Sequence, residues 1–362
     1  MTSSHSAGPA LRVALIGYGK GGAVFHAPLI AATPGLELSA VVTGNAERAA
    51  QARRRYPGAE VIGAPEELWR RAADFDLVVV ASPNDSHVPL ARAALDAGLS
   101  VVVDKPLALT AADARGLVAD AERRGLVLTA FHNRRWDSDF LTALRLVDEG
   151  ALGRVHRFES RFDRWRPEAK HTWRDRGERS RGAGLLYDLG SHLVDQAIIL
   201  FGPVAEVYAE LDARREGVRA EDDVFLALTH ASGVRSHLWA GALVAQLGPR
   251  LRVLGDRAAY TVRGLDGQEE RLARGDDPAR PGWGEEPAER WGLLGADGGL
   301  APVRSERGDY PAFYAAVRDA VAEGEPVPVE PHEVIHGLEV IEAAAESART
   351  RRAVRLEPAQ PR

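Results

Sequence analysis

Between residues 11 and 134, short apolar runs alternate with stretches of helical period. The runs are LRVALI, LELSAVVT, EVIG, DLVVVAS, SVVVDKP and LVLTAFHNR. The stretches between them include AERAAQARRRY, PEELWRRA, SHVPLARAALDAG and AADARGLVADAERRG. Strands that recur with a helix between them cannot pair through tight turns, so they pair in parallel, with the helices covering both faces of the sheet. Runs such as VVV at 78–80 and 101–103 show no polar alternation, as expected of strands buried on both faces. This part of the chain therefore reads as a doubly wound parallel sheet.

The pattern changes after residue ~135. RVHRFESRFDRW, PVAEVYAELDARR, DDVFLALTH, RSHLWAGAL and RLRVLGDRAAYTVRG alternate with the two-residue period of half-buried strands. Turns join them more often than helices do, which implies a second, α+β domain with a large, mostly antiparallel sheet covered by helices on one face. Residues 264–308 are rich in glycine, proline and charge, and predict a surface excursion with its tryptophans, 283 and 291, docked. PAFYAAVRDAVAEG and PHEVIHGLEVIEAAAESART predict two closing helices. The expected division is a disordered tail over 1–10, a first domain over 11–132 and a second over 133–356. A chain of 362 residues exceeds what one core usually serves, in keeping with two domains.

Composition removes several function classes. The formal charge is −6 with both signs interspersed, and the one basic cluster, RRRYP at 53–57, reads as a solvated helix end, so no nucleic-acid partner is expected. Cysteine is absent, which excludes disulfides, thiolate metal sites and a thiol nucleophile. No apolar run approaches the ~20 residues that span a bilayer, and the N-terminus lacks a signal-peptide pattern, so the expected location is the cytoplasm.

The first strand runs into Gly17, Gly19 and Gly22, spaced G-x-G-x-x-G, with a helix opening behind them. In a strand–turn–helix setting the first glycine permits the tight turn, the second lets the backbone approach a pyrophosphate and the third packs helix on strand. Gly17, Tyr18, Gly19, Lys20 and Gly22 are the dinucleotide-binding candidates of this turn, and a purely structural glycine-rich turn is the competing reading. The second strand ends in Thr43-Gly44-Asn45 with no carboxylate, and Arg48 follows. An acidic residue there would bind the ribose of NAD and repel a 2'-phosphate. Its absence favours NADP over NAD, with Arg48 as phosphate partner or, alternatively, a solvated helix residue.

Two further segments carry chemistry. Lys105 in VVVDKPLA follows a buried strand, where ligands of open α/β sheets bind. A surface lysine is the competing reading. In GAGLLYDLGSHLVDQAIILFG, Asp188, His192 and Asp195 are spaced four and three apart and would share one helix face. His192 suits a proton carrier, against the alternative of a structural histidine. Asp-x-x-x-His supplies two metal ligands and no third is evident, so no metal is expected.

Taken together, the glycine turn, D-K-P and D-x-x-x-H-x-x-D resemble the glucose-fructose oxidoreductase, inositol dehydrogenase and rhizopine catabolism protein family, Gfo/Idh/MocA. The likeness runs from about residue 11 to 356. GYGKGGAVFHAPLI, FHNRRWDSDF, RFDRWRP and LLYDLGSHLVDQAIILFGP look like its subgroup of NADP-linked scyllo-inositol dehydrogenases. Family members commonly have E-K-P where this chain has Asp104-Lys105-Pro106. The resemblance implies a Rossmann domain and a catalytic set of Lys105, Asp188 and His192. It implies hydride transfer between a nicotinamide and a secondary hydroxyl or ketone of a cyclic polyol or sugar. It places Ser82, Pro83, Asn84, His87, Asp104 and Lys105 along the cofactor. Asn133, Arg135, Trp136, Arg161, Asp163, Trp165 and Trp173 are the implied substrate contacts. A homodimer or homotetramer is also implied. Two other uses of such a chain are a non-catalytic dinucleotide-binding sensor and a redox-neutral NAD-dependent glycosidase.

Overall fold

A computed structural model describes residues 9–169 and 173–357, the side chains of Trp173 and Arg174 excepted. The predicted contact Trp173 therefore lies outside the described side chains. The first six strands are β1 (Leu11–Ile16), β2 (Leu36–Val42), β3 (Glu60–Ile62), β4 (Leu77–Val80), β5 (Ser100–Asp104) and β6 (Leu128–Phe131). They form one sheet in the order β3-β2-β1-β4-β5-β6, with every pairing parallel. Val78, Val79, Val80, Val101, Val102 and Val103 have no exposed surface, and each such side chain contributes about 1.5–3 kcal/mol relative to an exposed one. Because all strands run the same way, their carboxyl ends meet at one edge of the sheet. That edge carries the glycine turn, Thr43–Asn45, Ser82–Asn84 and Asp104–Lys105.

The second sheet comprises β7 (Val155–Arg161), β8 (Val204–Asp212), β9 (Asp223–His230), β10 (Arg235–Gly241), β11 (Leu251–Gly255), β12 (Ala259–Val262), β13 (Gly292–Gly295), β14 (Ala301–Val303) and β15 (Val354–Arg355). Their order is β14-β13-β12-β11-β7-β10-β9-β8-β15, and only the β7–β10 pair is parallel. Val224, Leu226, Leu228, Leu238 and Val253 point inward and are buried. The helices Ser191–Phe201 and Pro331–Thr350 pack on this inner face. Phe225, His237 and Trp239 alternate to the other face, where they form an aromatic cluster.

The excursion is more structured than its composition suggests. It contains a helix, Gln268–Arg274, as well as β13 and β14. Trp283 is buried and donates its indole N–H to Gln268 Oε1 at 2.9 Å, while Gln268 Nε2 donates to the Trp136 carbonyl at 2.9 Å. These bonds tie the excursion to the junction between the two sheets. Among the described residues, no helix is long and apolar enough to cross a membrane.

Candidate active site

The glycine turn has the shape its sequence predicts. Gly17 has φ +98°, and a Cβ there would lie 2.5 Å from the Ala81 carbonyl oxygen. A Cβ on Gly22 would fall 2.0 Å from the Gly17 carbonyl oxygen, so the third glycine lets the helix close on the turn. Gly19 differs. The nearest atom to a Cβ built there is Arg48 Nη1, at 3.8 Å, with no backbone in the way. This is an open backbone concavity with a guanidinium at its side, and it fits a dinucleotide whose phosphates approach main-chain amides. Asn45 caps the next helix by accepting from the Arg48 amide at 3.0 Å, which sets where Arg48 stands. Arg48 is exposed and has no ion pair among the described residues.

The remaining cofactor candidates divide by what their side chains already do. Lys20 pairs with Glu269 at 2.9 Å. Tyr18 is buried, and burial pushes its hydroxyl up from the ordinary phenol value. Ser82 and Ser86 share a hydroxyl bond of 2.6 Å. Asn84 donates to the Gly182 carbonyl at 3.1 Å and so links the first domain to the second. His87 is placed differently from expectation. Both ring nitrogens face backbone carbonyls, those of Pro106 at 2.8 Å and Ser82 at 2.9 Å, so it latches two loops together.

At the end of β5, Asp104 accepts from the Lys105 amide at 2.8 Å and lies 3.8 Å from His26 Nε2. Burial opposes its charge, but His26, Lys105 and His87 together hold the carboxyl below the usual range. The Lys105–Pro106 bond is cis. Lys105 Nζ reaches across the domain boundary to Asp188, donating to its carbonyl at 2.5 Å and its Oδ1 at 3.1 Å.

The spacing of Asp188, His192 and Asp195 predicts one helical face, and the structure corrects it. Leu186–Gly190 is a π-helical turn, and the regular helix begins only at Ser191. The widened turn places Asp188 toward Lys105. His192, one turn further on, is buried beside Phe162 and His132, with ring centroids at 6.3 and 6.1 Å. Burial and then Lys105 push the His192 imidazole well below the ordinary histidine value, so it is neutral at neutral pH. Asp195 turns to Arg135, with contacts of 2.6 and 2.9 Å, and to His132 Nδ1 at 3.7 Å. Burial disfavours the Asp195 charge, but Arg135 outweighs it and holds the carboxyl low.

The implied substrate contacts divide by what their side chains already meet. Arg135 also binds Glu333 at 2.8 Å, so this guanidinium is an internal ion-pair hub. Trp136 packs edge-on against Phe313 at 5.6 Å. Asn133 is buried at the start of the turn Asn133–Trp136. Arg161 lies 4.0 Å over the Trp239 ring, and Trp165 is 56% exposed. Asp163 stands near Gly241 and Asp223, where burial raises its carboxyl. These three share the outer face of the sheet, because side chains along an extended segment alternate and Phe162 takes the inner face. By the same alternation Arg164 shares the parity of the buried Phe162.

One site residue carries no local sequence signal. Glu269, from the excursion, pairs with both Lys20 and Arg134. Burial would raise its carboxyl, but Arg134 and Lys20 bring it down to about 2. Arg134 in turn binds Asp137 at 3.1 Å. A carboxylate thus bridges the glycine turn and the domain junction. Among the described residues no cluster of His, Cys, Asp and Glu could hold a metal ion.

A parallel sheet with an open glycine cradle at its carboxyl edge, facing a lysine, an aspartate and a neutral histidine, defines a dinucleotide-binding oxidoreductase architecture. Residues 11–132 match the family described as "Oxidoreductase family, NAD-binding Rossmann fold", and residues 145–356 match its "C-terminal alpha/beta domain". The chain belongs to the Gfo/Idh/MocA oxidoreductase family. It is 44% identical over 351 residues to the uncharacterized oxidoreductase YdgJ of Escherichia coli (strain K12), covering 94% of this chain and 97% of that one. It is 34% identical to scyllo-inositol 2-dehydrogenase (NADP(+)) IolW of Bacillus subtilis (strain 168), covering 96% of each. The solved oxidoreductase YvaA from Bacillus subtilis superposes with a TM-score of 0.91 at 34% identity, covering 96% of this chain and 99% of that one. Relatives named as sugar dehydrogenases, including D-apiose dehydrogenase, match over part of the chain.

Proposed function

We propose that this protein is an NADP-preferring dehydrogenase that interconverts a secondary hydroxyl and a ketone on a cyclic polyol or sugar. The observation that carries this reading is the Lys105–Asp188 pair at 3.1 Å, set beside a buried, neutral His192 at the edge that bears the glycine cradle. Gly17, Gly19 and Gly22 would hold the pyrophosphate, and Arg48 a 2'-phosphate. The bound nicotinamide supplies or accepts the hydride.

In the oxidation direction, neutral His192 takes the hydroxyl proton as the C–O bond gains double-bond character, and it returns that proton in reduction. The Lys105 ammonium, steered by Asp188, donates to the same oxygen and stabilises the developing negative charge. Asp188 keeps the ammonium aimed, because its carboxylate and carbonyl fix the lysine from two sides. The same reading includes a homodimer or homotetramer formed through the outer face of the second sheet, supported by the aromatic cluster of Phe225, His237 and Trp239. It also places the protein in the cytoplasm, in keeping with a cysteine-free chain.

The test is nicotinamide absorbance with purified protein, NADP or NAD, and a panel of inositols and aldoses. The expected result is turnover favouring NADP that is abolished in Lys105→Ala and His192→Ala. Tight cofactor binding with no turnover on any substrate, or turnover that survives both substitutions, would overturn it.

A further inference from the structure

The segment following β7 continues the sheet. Phe162 N–H donates to the Trp239 carbonyl at 2.9 Å, Arg164 N–H to the Gly241 carbonyl at 2.8 Å, and Val244 N–H to the Arg164 carbonyl at 3.0 Å. Residues 161–165 are therefore extended, and their side chains alternate between faces. Arg161, Asp163 and Trp165 take the outer face, as described above. Phe162 is buried between the guanidinium groups of Arg134, at 4.9 Å, and Arg250, at 4.0 Å, with His192 at its edge. The next residue of the same parity, Arg164, faces the cleft in which Lys105, Asp188 and Glu269 stand.

The charges facing Arg164 are Asp188 and Glu269, which attract it, and Arg134 and Arg166, which repel it. Both acids have other cationic partners. Asp188 holds Lys105, and Glu269 holds Lys20 and Arg134. Among the described residues the Arg164 guanidinium makes no hydrogen bond and no ion pair, whereas the neighbouring Arg134, Arg135 and Arg250 are each paired with a carboxylate. Burial and the neighbouring Arg166 disfavour its charge. A partly desolvated cation whose neighbouring acids are engaged by other cations is costly, and a guanidinium presents the forked donors that suit a carboxylate or phosphate.

We infer that Arg164, with Arg166 beside it, is a specificity-determining group that receives an anionic oxygen group on the substrate. The preferred substrate is then an acidic sugar or polyol derivative, either a sugar acid or a sugar phosphate, rather than its neutral parent. This rests on the dehydrogenase reading above and deepens it. Charge-assisted bonds of this kind discriminate by about 10- to 100-fold.

The experiment compares matched sets, glucose with glucuronate and glucose 6-phosphate, and myo-inositol with inositol monophosphate. The holoprotein, Arg164→Gln and Arg164→Lys are run side by side. The readouts are kcat/KM with NADP, calorimetric binding of each compound to the NADP-loaded protein, and cofactor Kd. The expected result is an anionic member favoured at least 10-fold, through KM. That preference falls toward one in Arg164→Gln, is partly kept in Arg164→Lys, and weakens with salt. The arm that responds, carboxylate or phosphate, identifies the group. Equal use of neutral and anionic members, with the ratio unmoved in Arg164→Gln, would refute the inference while leaving the dehydrogenase intact. A Gln variant that loses cofactor affinity instead would assign the arginine to the cofactor phosphates and equally refute it. If nothing turns over, the calorimetric arm decides alone: anion binding lost in Arg164→Gln sustains the site, and anion binding absent from the unaltered protein overturns it.

Discussion

Replacing Glu269 with glutamine removes a carboxylate that holds the excursion to the glycine turn. Burial would raise this group, but Arg134 and Lys20 bring it from 4.5 to about 2. A carboxylate lowered in the folded state adds stability above its unfolded value of 4.5, and that stability is lost as pH falls through the folded value. The linkage gives about 3.4 kcal/mol at pH 7, about 2.6 at pH 4 and about 1.4 at pH 3. The Glu269 side chain is 25% exposed, so these are upper figures. The assay is native-state hydrogen exchange of the Gln268–Arg274 amides, which reads the local opening free energy rather than global unfolding. Glu269→Gln should lower that free energy by about 2–3 kcal/mol at pH 7, and by about 1 kcal/mol at pH 3. A difference below about 0.5 kcal/mol at pH 7, or one that does not shrink on acidification, would refute the claim that Lys20 and Arg134 stabilise this charge.

Three further outcomes follow from the site. Because burial and Lys105 lower the His192 imidazole, the acid limb of kcat/KM for oxidation should lie below 6.5, and a limb at or above that value would contradict the neutral base. Arg48→Ala should raise the Kd for NADP by about 10- to 100-fold and leave NAD nearly unaffected; an equal change for both cofactors in titration calorimetry would remove Arg48 from the 2'-phosphate. Gly17→Ala meets a φ of +98° and a carbonyl oxygen 2.5 Å from the new Cβ. It should cost about 2–5 kcal/mol and show as a lowered thermal midpoint with loss of cofactor binding, whereas an unchanged midpoint would mean the turn relaxes freely.

What could be read from the sequence was what depends on near neighbours. The strand–helix alternation of residues 11–134 follows from periodicity, and the glycine turn, D-K-P and D-x-x-x-H are contiguous motifs. Each reports a backbone conformation or a place at a strand end, which the chain specifies within a few residues. Even so, the π-helical turn at Leu186–Gly190 was not legible, because a one-residue widening of a helix leaves no periodic trace.

Pairing was decided by the tertiary structure. Arg135 looks available in FHNRRWD, yet it is taken by Asp195, 60 residues away, and Glu333, 198 residues away. Glu269 meets Lys20 across 249 residues from within a stretch whose composition suggested only a surface loop. In RFDRWRP the residue types were informative but the facing was not, until buried Phe162 and the β10 ladder set which side chains enter the cleft. By itself the sequence determined the parallel sheet, the cofactor turn and the identities of the acid–base candidates, since local steric and periodic preferences encode these. Which charges remain free to meet a ligand emerged only in three dimensions, because an ion pair depends on distance through space and not on separation along the chain.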